Sequence, residues 1–560
     1  MITNIDNIPS QSKLTTDICI IGGGAAGISM ALYLSGRGLN ILLLESGFFK
    51  EDKKTQDLYN GEVADEKLHS PPDKYRLRML GGSTAIWGGR CMPFDPIDFE
   101  KRDYLPGSGW PISYDDLAPY FEVANRFLEA GEYAYDADKV FDPIKQPMFK
   151  GFKSDVLLTN NMERFSCPTN VGSRYRRRLE LAQDIEVILG ANCTGIRLNS
   201  NADHVSDLEI SSLDNRNYHV TAKHIVLATG GIEVARLLLA SNDICKNGIG
   251  NQFDLVGRYY QCHIAGNLGK LTIYGANSNV RHDYEVSAQG VYCRRRMSLT
   301  PETQRRLKVG NMVARLHFPK IVDPSHRIGV LSGLFLAKNF ISYEYGKRLN
   351  DGKATIGTYC QHLLNIIMDP IDTFKFLYQW ITRRTLAKRK FPSVILNNKS
   401  NQFTLEIHSE QYPNPNSRLT LLNEKDALGM PKLKIDWQYL PEDIDSVRKT
   451  LDSFVEEFKK SGIGSFEYDA ERLEEDLTRF GAYGGHHIGT ARMGTSPEHS
   501  VVDADCKVHH VDNLFIASSA VFPTSSQANP TLTITAISLR LADHLATTLG
   551  AGKQTKHSSI

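Results

Sequence analysis

Asp17-Ile18-Cys19-Ile20-Ile21, then Gly22-Gly23-Gly24-Ala25-Ala26-Gly27, then an apolar helical pattern over 28–34, then Ile41-Leu42-Leu43-Leu44 closing on Glu45: this stretch decides the fold. The two apolar runs have strand length, and the glycines join the first of them directly to a helix. Gly36 and Gly38 break that helix before the second strand. Residues 16–47 therefore read as one βαβ unit. Its glycines have separate tasks. Gly22 makes the tight turn, Gly24 lets backbone approach a pyrophosphate, and Gly27 lets the helix lie close to the strand. The helix N-terminus then offers unpaired N–H groups to the phosphates. Glu45 stands 18 residues after Gly27, where a carboxylate can accept from both ribose hydroxyls. A free 2′-hydroxyl is common to NAD and FAD, so the unit predicts a dinucleotide without choosing between them.

Two further segments extend this nucleotide end. Arg78-Met79-Leu80-Gly81-Gly82-Ser83-Thr84-Ala85-Ile86-Trp87-Gly88-Gly89-Arg90 is a glycine-rich loop with an aromatic inside it, which suits close backbone approach to a flat ligand. Lys223-His224-Ile225-Val226-Leu227-Ala228-Thr229-Gly230-Gly231-Ile232-Glu233 is a buried strand ending in small residues before a helix over 234–240.

The opening unit, the Gly81-Gly82 loop, Ala228-Thr229-Gly230-Gly231-Ile232-Glu233 and Leu255-Val256-Gly257-Arg258-Tyr259-Tyr260-Gln261-Cys262-His263 together resemble the glucose–methanol–choline (GMC) oxidoreductases. The C-terminal likeness is the most specific. It runs through His486-His487-Ile488-Gly489-Thr490-Ala491-Arg492-Met493-Gly494, Val501-Val502-Asp503, Asn513-Leu514-Phe515-Ile516 and Ala528-Asn529-Pro530-Thr531-Leu532-Thr533. The resemblance spans nearly the whole chain, is weakest over 265–400, and is nearest the bacterial sugar dehydrogenase and pyranose 2-oxidase-like branch. It implies FAD, alcohol oxidation and two domains. A Rossmann-type α/β FAD-binding domain would be assembled from 14–110, 180–262 and 480–548. Residues 111–179 would form a connecting or lid segment. An inserted α+β substrate domain, built on an antiparallel sheet, would occupy 263–479.

Carried over position by position, the resemblance implies FAD contacts from Gly22, Gly24, Gly27, Glu45, Gly81, Gly82, Trp87, Gly88, Cys193, Ala228, Gly230, Ser519, Pro530 and Thr531. The family's Asp-Ala-Ser turn reads Ser518-Ser519-Ala520 here, with Pro523 in place, which leaves that contact to backbone amides. In pyranose 2-oxidase the glycine-rich loop supplies a histidine that attaches to the flavin. The matching residue here is Ile86, which has no nucleophile, so the FAD is expected to be non-covalent.

Oxidising an alcohol by hydride removal requires a base for the hydroxyl proton and a second polar group to hold the oxygen. Neutral histidine suits the first task. The family's His-x-x-Gly-Thr falls on His486, and its second position falls on Asn529, 43 residues later. His486 is the expected base and Asn529 the oxygen anchor. Asn529 precedes Pro530, which favours an extended backbone before the helix over 531–545. His263 and His487 are read as structural, and His509 and His510 as turn residues.

On the substrate side, Phe403-Thr404-Leu405-Glu406-Ile407-His408-Ser409-Glu410-Gln411 reads as a strand. Period-two alternation places Glu406, His408 and Glu410 on one face. This stretch resembles the substrate sheet of pyranose 2-oxidase and implies a polyol, because an apolar alcohol would leave these groups unpaired. Two carboxylates also allow an amino sugar. An apolar alcohol or sterol, or a non-catalytic flavoprotein, are the alternatives; the electron acceptor is not specified by the sequence.

Composition bounds the remainder. The 560 residues suggest two to four domains. With 41% hydrophobic and 23% charged residues and a net charge of +1, no long-range field steers the chain to nucleic acid or to anionic lipid. The nine cysteines are scattered and form no CxxC pair. No metal site is therefore expected, and a reducing, cytoplasmic compartment is. No apolar run is long enough to span a membrane. Residues 372–390 read as a helix with Phe374, Leu377 and Ile381 in one row and Arg383, Arg384, Lys388, Arg389 and Lys390 at its end. Surface membrane contact is one reading of it. A helix packed on the substrate domain with a solvated basic end is the expected one.

Overall fold

The computed structural model describes residues 1–141, 147–319, 321–338, 354–392, 401–479 and 481–551. The opening unit forms as its sequence dictates. β1 (Ile2–Asn4) and β2 (Lys13–Ile21) lead into α1 (Ala25–Leu34) and then β3 (Ile41–Glu45), which is buried at every residue. β4 (Ile185–Leu189), β5 (Asn192–Leu198), β6 (Val205–Ser211) and β7 (Asn217–Leu227) follow, and α2 (Gly230–Ala240) leaves the end of β7. The strands lie in the order β1–β4–β3–β2–β7–β6–β5. From β1 to β7 all pairs are parallel; β6 and β5 add antiparallel edges. A strand at Leu514–Ile516 joins the far end of β7 in parallel. A parallel sheet needs both faces covered, which is why these strands are runs of Ile, Leu and Val.

Backbone contacts at the first turn require glycine. Gly22 has φ +111°, and a Cβ there would strike the Ala228 carbonyl at the end of β7. A Cβ on Gly27 would collide with the Gly22 carbonyl, whereas one on Gly24 meets nothing within 4 Å.

The second sheet is antiparallel. β8 (Gln261–Ile273) pairs with β10 (Gln402–Ser409), and β10 with β9 (Met312–His317). β11 (Gly464–Glu467) lies on the outer side of β8. β12 (Tyr483–Ile488) also pairs with β8, through Gln261↔Ile488 and His263↔Tyr483. The C-terminal segment therefore contributes to both sheets, and β1 adds residues before 14 to the first. The expected boundary at residue 480 lies outside the described residues. A single hydrophobic cluster runs through both sheets, so they share one core.

α3 (Ile356–Met368) and α4 (Pro370–Gln379) stand on the second sheet's side, and a wider helical turn at Trp380–Thr385 continues α4. The helix expected over 372–390 does pack on this side, but it ends at Thr385 and its apolar row is not the packed face. Phe374, Leu377 and Ile381 are 72%, 51% and 52% exposed. The helix instead rests on Phe376, against the small cluster around Val330 and Leu331. The apolar row points away from the chain. α5 (Thr531–Thr548) closes the fold against α1, where Asp543 receives Tyr33 and Arg37.

Gly27→Ala should destabilise the apo-protein by roughly the 1–3 kcal/mol of an overpacked site, read as a lower urea midpoint. Gly24→Ala should leave it unchanged. Equal midpoints for the two variants would contradict the contact assigned to Gly27.

Candidate active site

A cavity of about 950 Å³ runs between the two sheets. At its nucleotide end the walls are Gly22, Gly24, Glu45, Ala228, Gly230 and Cys193, with Gly82, Trp87 and Gly88 from the glycine-rich loop. His486, Ser519, Asn529, Pro530 and Thr531 line the middle, and Glu406 and His408 the substrate side. Two expected contacts shape the wall from behind it. Gly27 seats α1, and Gly81, with φ +103°, packs against Asn170 and Gly172.

Glu410 is a correction. β10 ends at Ser409, so the alternation stops at His408. The fully buried Glu410 carboxylate turns inward to Arg102 Nη1 and Nη2, at 2.7 and 2.6 Å, and to the Asn311 N–H at 2.9 Å. It offers nothing to the cavity.

The nucleotide end fits a bound FAD. Three helices, α1, α2 and α5, begin at the cavity wall, and no side chain caps any of their N-termini. Their dipoles and end N–H groups favour an anionic group there. An added Cβ at Gly24 or Gly230 meets only open space. The buried Thr229 hydroxyl has no hydrogen-bond partner. Glu45 clamps the first turn, accepting from the N–H groups of Gly23 at 2.8 Å and Gly47 at 2.7 Å. Burial pushes its carboxyl above the ordinary range against the pull of those donors. Arg76 and Arg78, which sequence reasoning missed, pair with Glu233 at 3.0 and 2.8 Å and stack on Tyr59.

The central hydrogen bonds form a chain whose direction is fixed. His486 lies on β12, His263 faces it from β8, and Asn529 stands just before α5. His263 Nε2 is 3.2 Å from the Ser525 carbonyl. A carbonyl only accepts, so that nitrogen carries the proton. In the neutral ring Nδ1 is then an acceptor, and it takes the Nδ1–H of His486 at 2.7 Å. His486 Nε2 therefore holds a lone pair, which meets Asn529 Nδ2 at 2.9 Å. Burial, with His263 and Arg90 nearby, holds the His486 imidazole well below its usual pKa, and burial brings His263 down to about 4. Both rings are neutral at pH 7. The buried Asn529 Oδ1 has no partner.

His487 belongs to a second chain of the same kind. His69 Nδ1 donates to the Ser70 carbonyl at 2.6 Å, so His69 Nε2 accepts from the Tyr260 hydroxyl at 2.8 Å. The Tyr260 oxygen then accepts His487 Nδ1–H at 2.6 Å. His487 Nε2 is left as a buried acceptor in a ring that lines the cavity. The Gln261-Cys262-His263 stretch beside the motif was the one available signal for His263.

Beneath His486 lies a charged cluster that the sequence did not announce. Glu406 meets Arg294 at 3.1 Å and Arg90 at 3.7 Å; Glu163 meets Arg315 at 2.6 Å and Arg90 at 3.4 Å. Burial raises both carboxyls, but Arg90, Arg294 and Arg315 outweigh it, holding Glu406 well below and Glu163 below the usual value. Burial, together with Arg315 and Arg90, keeps His408 neutral. Three guanidinium groups thus face two carboxylates.

Histidine ¹⁵N NMR at pH 7 should show His486 protonated on Nδ1 and His263 on Nε2, both rings neutral. An imidazolium signal for His486 above its ordinary pKa of about 6.5 would break the chain as drawn.

The comparisons agree with this architecture. Residues 17–316 match the family model described as FAD dependent oxidoreductase, and residues 413–538 match that of the GMC oxidoreductase C-terminal part. The 6′′′-hydroxyparomomycin C oxidase of Streptomyces lividus is 22% identical, over 97% of this chain and 94% of its own. Paromamine 6′-oxidase of Streptomyces fradiae is 24% identical, over 95% and 91%. The crystal structure of pyridoxine 4-oxidase from Mesorbium loti superposes with a TM-score of 0.54 at 17% identity, covering 94% of this chain and 99% of that one. The chain belongs to the FAD-dependent GMC oxidoreductases, enzymes that oxidise CH–OH groups.

Proposed function

We propose that this enzyme oxidises a hydroxyl group of a sugar or sugar derivative, with His486 as the base and Asn529 as the oxygen anchor. The observation that carries the reading is the 2.9 Å approach of His486 Nε2 to Asn529 Nδ2. One lone pair and one N–H meet there. A hydroxyl oxygen that displaces this hydrogen bond would donate its proton to His486 and accept from Asn529, so the pair would bind the oxygen and develop its charge in one step. FAD, when bound, supplies the hydride acceptor at its N5. His263 acts through His486, by fixing which nitrogen is free.

The polar floor of Glu406 and His408 suits hydroxyl groups, which pair with both. The amino-sugar reading is supported by the likeness to the 6′′′-hydroxyparomomycin C oxidase and paromamine 6′-oxidase, but not by free carboxylates at the two expected positions. Glu410 is locked to Arg102, and Glu406 is already engaged by Arg294 and Arg90. The local excess of guanidinium favours a neutral or acidic sugar over a free ammonium. A second reading has its own observation. The outer arm of the cavity is lined by Phe318, Ile321, Val322, Ile328 and Leu334, which suits an alcohol with an apolar part beyond the reacting carbon.

We also hold that the FAD is non-covalent. Ile86 lines the cavity and has no nucleophile. Burial pushes the thiols of Cys91 and Cys193 up to about 12, so neither offers a thiolate at neutral pH. The nine scattered, free cysteines suit the reducing, cytoplasmic side of a cell.

Replacing His486 by Ala should slow anaerobic flavin reduction by roughly 100-fold or more with FAD content retained, and His487→Ala should slow it less. The reverse order would move the base to His487. Because the folded His486 pKa lies below the usual value, the base form is complete above that depressed pKa. The rate should stay level as the pH falls through about 6.5 and drop only in more acidic solution. A half-loss at or above that pH would reject the neutral base.

Acid precipitation should give a colourless pellet and a yellow supernatant with the mass of intact FAD. A yellow pellet carrying a flavin-modified peptide from 81–90 would overturn the non-covalent assignment.

A further inference from the structure

The exposed face of α3 and α4 is the largest feature that the oxidation chemistry leaves unused. Ile367, Met368, Ile371, Phe374, Leu377 and Ile381 are each more than half exposed. Ile371, Phe374, Leu377 and Ile381 recur every three or four residues along α4 and the turn that continues it, and Ile367 and Met368 stand at the end of α3 one residue before it. Isolated exposed apolar side chains are ordinary on a soluble surface; a contiguous band of them marks a surface made for contact. Neither helix is long and apolar enough to cross a membrane.

The charge on the same segment says what the contact is. Residues 354–392 hold six basic side chains, Lys375, Arg383, Arg384, Lys388, Arg389 and Lys390, and two acidic ones, Asp369 and Asp372. Six minus two gives +4 for this piece of a chain whose total is +1. The acids are engaged locally: Asp369 accepts from the Gly329 N–H at 3.0 Å, and Asp372 lies 3.8 Å from Lys375. Lys375, Arg383, Lys388 and Lys390 are exposed. Arg384 and Arg389 turn inward to the carbonyls of Phe391, Phe165 and Glu129.

We propose that the α3–α4 pair docks this protein in the plane of an anionic lipid bilayer, the apolar row entering the headgroup–acyl boundary and the exposed cations resting on lipid phosphates. An apolar row bordered by cations is the chemistry of an interfacial helix. A second copy of the chain would set +4 against +4 and is disfavoured. The placement also serves the cavity. Trp380 and Arg384 from this segment, with Ile321, Val322 and Leu334, line its outer arm. A docked enzyme therefore opens that arm next to lipid. The proposal is independent of which alcohol is oxidised.

Flotation of the holoenzyme with vesicles tests it. Vesicles of phosphatidylcholine alone are compared with vesicles of phosphatidylcholine and phosphatidylglycerol. The protein should float with the anionic vesicles, and less so in high salt, where the cations are screened. The combined variant Phe374→Glu, Leu377→Glu and Ile381→Glu changes only exposed side chains. It should keep its flavin spectrum and lose flotation by roughly tenfold or more, as expected when the inserted apolar face is removed. Native protein that stays at the bottom of the gradient with anionic vesicles, or a variant that floats as well as the native chain, overturns the proposal. If neither floats and the native protein sediments as a dimer that the variant converts to monomer, the face is a contact between copies, and the proposal also falls.

Discussion

Backbone touching backbone at the end of β7 is the constraint on which the rest of the molecule depends. The Gly22 turn abuts the Ala228 carbonyl, Gly27 abuts Gly22, and Gly231 abuts the carbonyl of His487. None of these contacts leaves room for a Cβ. Together they bring residues near 22, 228 and 487 to one place, so the start of α1 and the strand that carries His486 are fixed to the same point. The glycines do not loosen the chain here. They let three segments, hundreds of residues apart, approach more closely than side chains would allow.

From that point the site is built by restriction. The pairing of β12 with β8 places His486 within hydrogen-bond distance of His263. The buried arginines perform a related service. A carboxylate in this interior would ordinarily take up a proton, because burial disfavours charge. Arg90, Arg294 and Arg315 keep Glu163 and Glu406 ionised. This part of the cavity floor therefore keeps its charges, and its polarity, despite its burial.

What the sequence made legible follows from what is local. The opening unit could be read because strand, glycines, helix and acid follow one another within a few dozen residues. The placement of His486 and Asn529 rested on a resemblance, and the structure brings the two side chains together. In the sequence His263 reads only as structural, and Arg90, Arg294 and Arg315 receive no assignment, because their meaning lies in partners on other strands. Glu410 failed for a simpler reason: period-two alternation holds only while the strand lasts, and β10 stops one residue earlier. The row of Phe374, Leu377 and Ile381 was visible as a row. Periodicity shows that a helix has an apolar face; it does not show which way that face is turned.

The orientation of the histidine chain carries a consequence for proton traffic. A proton taken up at His486 Nε2 could be relayed outward only if His486 passed its Nδ1 proton to His263 and His263 passed its own to the Ser525 carbonyl. A carbonyl has no proton to give up in exchange and is a poor resting place for one. The wire is blind at its inner end. Whatever proton His486 accepts must leave by the side on which it entered, toward the cavity. With His486 as the proposed base, the cavity would have to admit water, or a proton-accepting molecule, between one substrate and the next, and emptying the site and resetting that base would become the same event.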